Sequence, residues 1–138
     1  KRNGVLQTND IFDYYIAGRA AIANDVHADQ VQPVKDIIAT IEKVAASTAI
    51  NYFYAGIGET DLGDKLHSLS EALCFLNACM YGGAPDGVSM ADVTDVKDLL
   101  KDGGDEINFF TITDGAITAA INKLATAADL ESVKEQLK

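Results

Sequence analysis

Apolar residues recur along this chain at intervals of three and four, the spacing of one helical face, in five or six separate stretches. Ile11, Phe12, Tyr15, Ile16, Ala20 and Ile22 predict a first helix near 9–24, with Thr8 or Asn9 as its cap. A polar loop follows, carrying Asn24, Asp25, His27 and Asp29. Pro33 then stands where a first helical residue is tolerated, so the second helix is expected to start there. Its apolar positions are Val34, Ile37, Ile38, Ile41, Val44, Ala45, Thr48 and Tyr52, and Gly56 and Gly58 supply its stop.

The strongest periodicity lies in the third stretch, where Leu62, Leu66, Leu69, Leu73, Leu76 and Met80 step by four, three, four, three and four. Thr60 or Asp61 can cap it. Beyond Glu71 its other faces turn apolar as well, through Ala72, Cys74, Phe75, Ala78 and Cys79. A helix that is apolar all round is usually enclosed, so the helix near 61–81 is expected at the centre. Gly82, Gly83, Pro85 and Gly87 break it.

Ser89 and Asp92 have the spacing of a capping box for a fourth helix, with Met90, Val93, Val96 and Leu100 on its apolar side. Ile107 to Ile112 is rich in β-branched and aromatic residues and could be a short extended piece, but no partner strand is evident. Thr113 or Asp114 caps a fifth helix with Ile117, Ala120, Ile121 and Leu124, and a last one holds Leu130, Val133 and Leu137. The expected architecture is a single all-α domain over residues 1–138, a bundle of five or six helices around the helix at 61–81. Twenty alanines fit close helix approaches.

The length of 138 residues suits one domain, and 48% hydrophobic residues suffice for a core. Charge changes the picture more. Eleven basic against twenty-one acidic residues give −10, a surface that repels nucleic acid and anionic lipid. No stretch approaches the roughly 18 apolar residues of a membrane span, so the chain is expected to be soluble as it stands. It opens at Lys1-Arg2-Asn3-Gly4 without a signal, which leaves open a processed product or a fragment of a longer protein. Cys74 and Cys79 lie too far apart on one helix to bridge, and both are expected as reduced thiols in the core.

Candidate chemistry centres on His67 and Glu71, four apart and hence on one helical face, where an imidazole and a carboxylate could ligate a divalent metal or move a proton. A plain hydrogen bond between the two is the competing reading. His27 with Asp25 and Asp29 could add ligands or could simply serve turns. Arg19 stands in the otherwise apolar Tyr15–Ile22 and calls for a partner, either a ligand carboxylate or an acid such as Glu71. Ser70 and Asn77 would hydrogen-bond to a neighbouring helix. Asp102 to Glu106 lacks the alternating oxygen spacing of an EF-hand. No phosphate loop, G-x-S-x-G elbow, H-E-x-x-H pair or C-x-x-C motif occurs.

Tyr15 to Ile22 (YIAGRAAI), Ala49-Ile50-Asn51-Tyr52, His67 to Phe75 (HSLSEALCF) and Ile107 to Thr113 together resemble the C-terminal half of imelysin-related bacterial envelope proteins grouped as a domain of unknown function. The resemblance implies an all-helical, exported protein of the cell envelope or periplasm, often a lipoprotein, with any membrane attachment made through an anchor ahead of this chain. In imelysins proper a G-x-H-x-x-E motif is regarded as the metal or functional site. Here Gly63 precedes His67 by four residues and Glu71 follows by four, so neither interval matches. The resulting expectation is a non-enzymatic envelope protein that binds a small ligand, a metal or a protein partner, with Arg19, His67 and Glu71 lining the site. A metal-assisted hydrolase and a structural interaction module are the alternatives.

Overall fold

A computed structural model describes residues 8–81 and 87–138. Five α-helices carry the fold: α1 (Thr8–Ala23), α2 (Val31–Gly56), α3 (Leu62–Ala78), α4 (Met90–Leu100) and α5 (Asp114–Ala127). The expected all-α bundle is therefore what forms, and no strand occurs among the described residues. The side chains of Thr8 and Asn9, proposed as the first cap, lie outside the described residues, as do residues 82–86 of the glycine-rich loop.

Local chemistry sets the other starts. Asp61 Oδ1 accepts from the Asp64 amide at 3.0 Å and opens α3. Ser89 Oγ accepts from the Asp92 amide while Asp92 Oδ2 accepts from the Ser89 amide, each at 3.1 Å, closing the capping box of α4. Thr113 Oγ1 accepts from the Ala116 amide at 3.2 Å and opens α5. α2 begins two residues before Pro33 instead of at it, because the first four amides of a helix have no partner within it and a proline there costs no hydrogen bond. Gly58, at φ +72°, lets the chain leave α2 in a conformation that other residues resist.

The core is built from Ile50 and Phe53 of α2, Leu69 and Leu76 of α3, Val93, Val96 and Leu100 of α4, and Ile117, Ile121 and Leu124 of α5. Leu137, from the 3-10 turn Lys134–Leu137, joins it, and Asn51 Nδ2 donates to the Leu137 carbonyl to hold that turn on α2. The last segment is thus a turn and not the sixth helix that its apolar spacing predicts. Ala46, Ala49, Ala72, Ala120 and Ala125 are fully buried, in keeping with the close approaches their number suggests.

The middle of the bundle is occupied by α2, not by the helix at 61–81. α2 packs against α1, α3, α5 and the C-terminal turn, whereas α3 packs chiefly against α2 and buries only Leu69, Ala72 and Leu76. Uniform apolarity after Glu71 misled the expectation: Cys74, Phe75 and Ala78 face outward, and Phe75 is only partly covered, by stacking on Tyr52 at 5.9 Å between centroids. Cys79 is buried and Cys74 is exposed, so one of the two thiols leaves the core to which both were assigned. Residues 107–112 form a turn with no strand pairing. Asn108 takes the amide of Ile112 on its carbonyl at 3.0 Å and that of Phe110 on its side chain at 3.1 Å, local partners that no neighbouring strand supplies.

Helix lengths explain one further feature. At 1.5 Å per residue α2 is about 39 Å long and α3 about 26 Å. α3 therefore cannot cover all of α2. The N-terminal part of α2, with α1 folded back on it, projects as a two-helix arm, and Val31, Val34 and Ile41 on it are exposed.

Candidate functional site

His67 and Glu71 sit on α3 with Nε2 and Oε1 3.3 Å apart. The side chains are 69% and 35% exposed, which places them on the outer surface and not in a closed pocket. Among the described residues no three His, Cys, Asp or Glu side chains converge on a point that could hold a metal ion. Arg19 lies on the exposed side of α1, which packs on α2 and makes no comparable contact with α3. The structure therefore brings His67 and Glu71 together and leaves Arg19 apart from them.

The loop candidates have local partners. His27 Nε2 is 3.4 Å from Asp25 Oδ1, and its Nδ1 is 3.1 Å from Gln30 Nε2. In the 102–106 segment, Asp102 Oδ2 accepts from the Thr113 amide at 2.8 Å and ties the loop to the start of α5. Ser70 is exposed and Asn77 is half-buried.

A buried carboxylate that the sequence reading passed over stands at the root of the arm. Glu42 is 4% exposed on α2 and accepts a hydrogen bond from the Val88 amide. A Cβ on Gly87 would collide with this carboxylate, so a larger residue there would require the carboxylate to move. Burial, with the Glu42 charge as a second cause, pushes the Cys79 thiol up to about 11 and keeps it protonated at neutral pH. Beside Glu42 opens a cleft of about 410 Å³, lined by Lys35, Asp36, Lys43, Val88 and Asp129 among others, a size in the range of small-ligand sites. Lys43 Nζ pairs with Asp129 Oδ2 across it at 3.1 Å, and Asp36 Oδ1 accepts from Gln32 Nε2 at 2.8 Å. The Lys43–Asp129 pair joins the arm to the segment after α5, while the Gln32–Asp36 bond stays within α2. The available signal was spacing: Glu42, Ala46 and Ala49 fall at i, i+4 and i+7, and both alanines are fully buried.

The arm carries the other unusual surface. α1 meets α2 through Ala21 and Gly18, whose Cβ position would lie 3.5 Å from Pro33. On its opposite side Phe12, Tyr15, Ile16 and Ile22 are 43–67% exposed. At about 100° per residue these four and Arg19 fall within an arc of roughly 120°. No described side chain of α1 belongs to the core cluster. This face holds one cation and no acid, on a chain whose net charge is −10.

Fold and surface together define a small all-α bundle domain with an apolar arm. The chain belongs to the family described as a domain of unknown function (DUF4856), whose model matches residues 2–134. That agrees with the resemblance at the level of a domain family of unknown function. No curated protein and no solved structure matches the chain significantly. No helix among the described residues is long and apolar enough to cross a membrane.

Proposed function

We propose that the protein is a non-enzymatic helical module that grips an amphipathic helix of a protein partner along the outer face of α1. The observation that carries this reading is the row Phe12, Tyr15, Ile16 and Ile22, large apolar side chains left in solvent on a helix whose described residues lie outside the central core cluster. Contiguous exposed apolar surface on a soluble domain is usually a contact surface, and helix-in-groove docking reads anchors at this three-four spacing. Placement in the bacterial cell envelope, and kinship with imelysins, rest on the likeness of the helical strings quoted above. A metal-assisted hydrolase built on His67 and Glu71 would need a third ligand, and the described residues bring none to that pair.

The test separates docking from folding. In the variant Phe12→Glu/Ile22→Glu both changes fall on exposed positions, so Tm should stay within about 2 °C of wild type. Fluorescence of the apolar dye 1-anilinonaphthalene-8-sulfonate on the native protein should fall in the same variant. A drop in Tm of more than about 6 °C would show that the row serves the chain's own stability, and the reading would be lost.

A further inference from the structure

Phe12, Tyr15, Arg19 and Ile22 are separated by three, four and three residues, the a and d positions of a heptad seam. Such a row is self-complementary when two copies run antiparallel. Setting Phe12 against Ile22 of the second copy also sets Tyr15 against Arg19, and each contact occurs twice about a two-fold axis. The apolar ends meet apolar ends. Each guanidinium meets a phenol ring, the pairing that satisfies a cation inside an apolar seam without a carboxylate. Gly18 and Ala21 face α2, so the α1–α2 packing stays as it is when the outer face is covered. The absence of acids from the row also matters, because two chains of charge −10 can meet here without opposing carboxylates.

We infer that the occupant of the arm is a second copy of this chain, joined through an antiparallel α1–α1 seam in which Arg19 of each copy lies on Tyr15 of the other. This rests on the reading of the arm as a docking face and names its partner. The seam from Phe12 to Ile22 is about 15 Å long, and the association across so short a row is weak and concentration-dependent.

Sedimentation velocity from about 10 µM to about 1 mM should show monomer passing to dimer, and Phe12→Glu/Ile22→Glu should abolish the dimer across that range. Register is tested in a Cys74→Ser background, which removes the exposed native thiol. Phe12→Cys mixed with Ile22→Cys should give a disulfide-linked dimer under mild oxidation. Phe12→Cys alone should not, because in this register its two copies lie about 15 Å apart along the seam. A monomer at the highest concentration, or cross-linking by Phe12→Cys alone, overturns the inference. If the chain is monomeric while Phe12→Glu/Ile22→Glu keeps its Tm, the docking reading stands and only the identity of the partner is wrong. If Tm falls as well, both are wrong.

Discussion

Gly56 packs directly beneath Leu69 where the two longest helices meet, and it sets the sharpest quantitative expectation. A Cβ built on it would lie 2.6 Å from Leu69 Cδ2 and 2.9 Å from Cγ, where carbon atoms prefer about 3.5–4.0 Å. Leu69 is fully buried, so it has no free space to yield into. Gly56→Ala therefore costs about 1–3 kcal/mol of overpacking. Against this stands the gain from replacing glycine in a helix, at most about 1 kcal/mol and less at the last residue of α2. The net loss is about 1–2 kcal/mol. With an unfolding entropy near 2.1 cal/mol/K per residue, a chain of 138 residues converts that loss into a fall in Tm of roughly 3–7 °C. Leu69→Ala alone should cost about 2–5 kcal/mol by leaving a cavity. In the double variant the new methyl group enters that cavity, so Gly56→Ala becomes neutral or mildly stabilising. The assay is thermal and urea unfolding followed by circular dichroism for the four proteins of the cycle, which should give a coupling above about 1 kcal/mol. Additivity within about 0.5 kcal/mol would refute the claim that the Gly56–Leu69 contact fixes the spacing of α2 and α3.

Two further expectations concern ionisable groups. At pH 8 a thiol reagent should label Cys74 promptly and Cys79 at least about 100-fold more slowly, since raising a thiol from about 9 to about 11 removes two decades of thiolate before burial adds its own barrier. Simultaneous labelling of both in native buffer would contradict the packing of Cys79. The raised value also sets an alkaline limit: its stability contribution is whole below the thiol's unfolded value near 9 and is lost as pH rises through about 11. Asp92 behaves in the opposite sense. Its hydrogen bonds from Ser89, and then the Lys123 ammonium, hold its carboxyl below the ordinary range, so its contribution is present above about pH 4 and fades as pH falls through the lower folded value. Asp92→Asn should therefore lower Tm by a few degrees at pH 7 and flatten the loss of stability on acidification below about pH 4. Parallel acid curves for the two proteins would count against the capping box.

Local signals in the sequence survived folding best. Asp61, Ser89 and Thr113 were legible as helix starts because a cap depends on atoms within three residues of it. The proximity of His67 and Glu71 was legible for the same reason, since four residues make one turn. Periodicity, by contrast, shows which residues share a face and is silent on whether anything covers that face. Phe12, Tyr15, Ile16 and Ile22 have the spacing of core residues and stand in solvent. The leucine row of α3 has a stronger pattern than α2, yet α2 is the central helix because α1, α3, α5 and the C-terminal turn all pack on it. Glu42 was hidden by its own charge. Carboxylates are rarely buried, and the amide that donates to this one comes from Val88, 46 residues away.

Arm and body are joined by α2, which runs without interruption from Val31 beside α1 to Gly56 beneath Leu69. Its first half is covered mainly by α1 and its second half by the core, so one rigid rod serves two surfaces of different stability. Where the rod passes from one to the other, Glu42 holds the Val88 amide and Lys43 holds Asp129. The buried Glu42 contact anchors the arm to the Val88-Ser89 approach to the α4 cap, and the exposed Lys43–Asp129 pair adds little to it. A partner seated on α1 would therefore be held in a defined orientation to the body and not on a loose tether. On the docking reading proposed above, the contact at the root would give the apolar row at the outer face a fixed geometry.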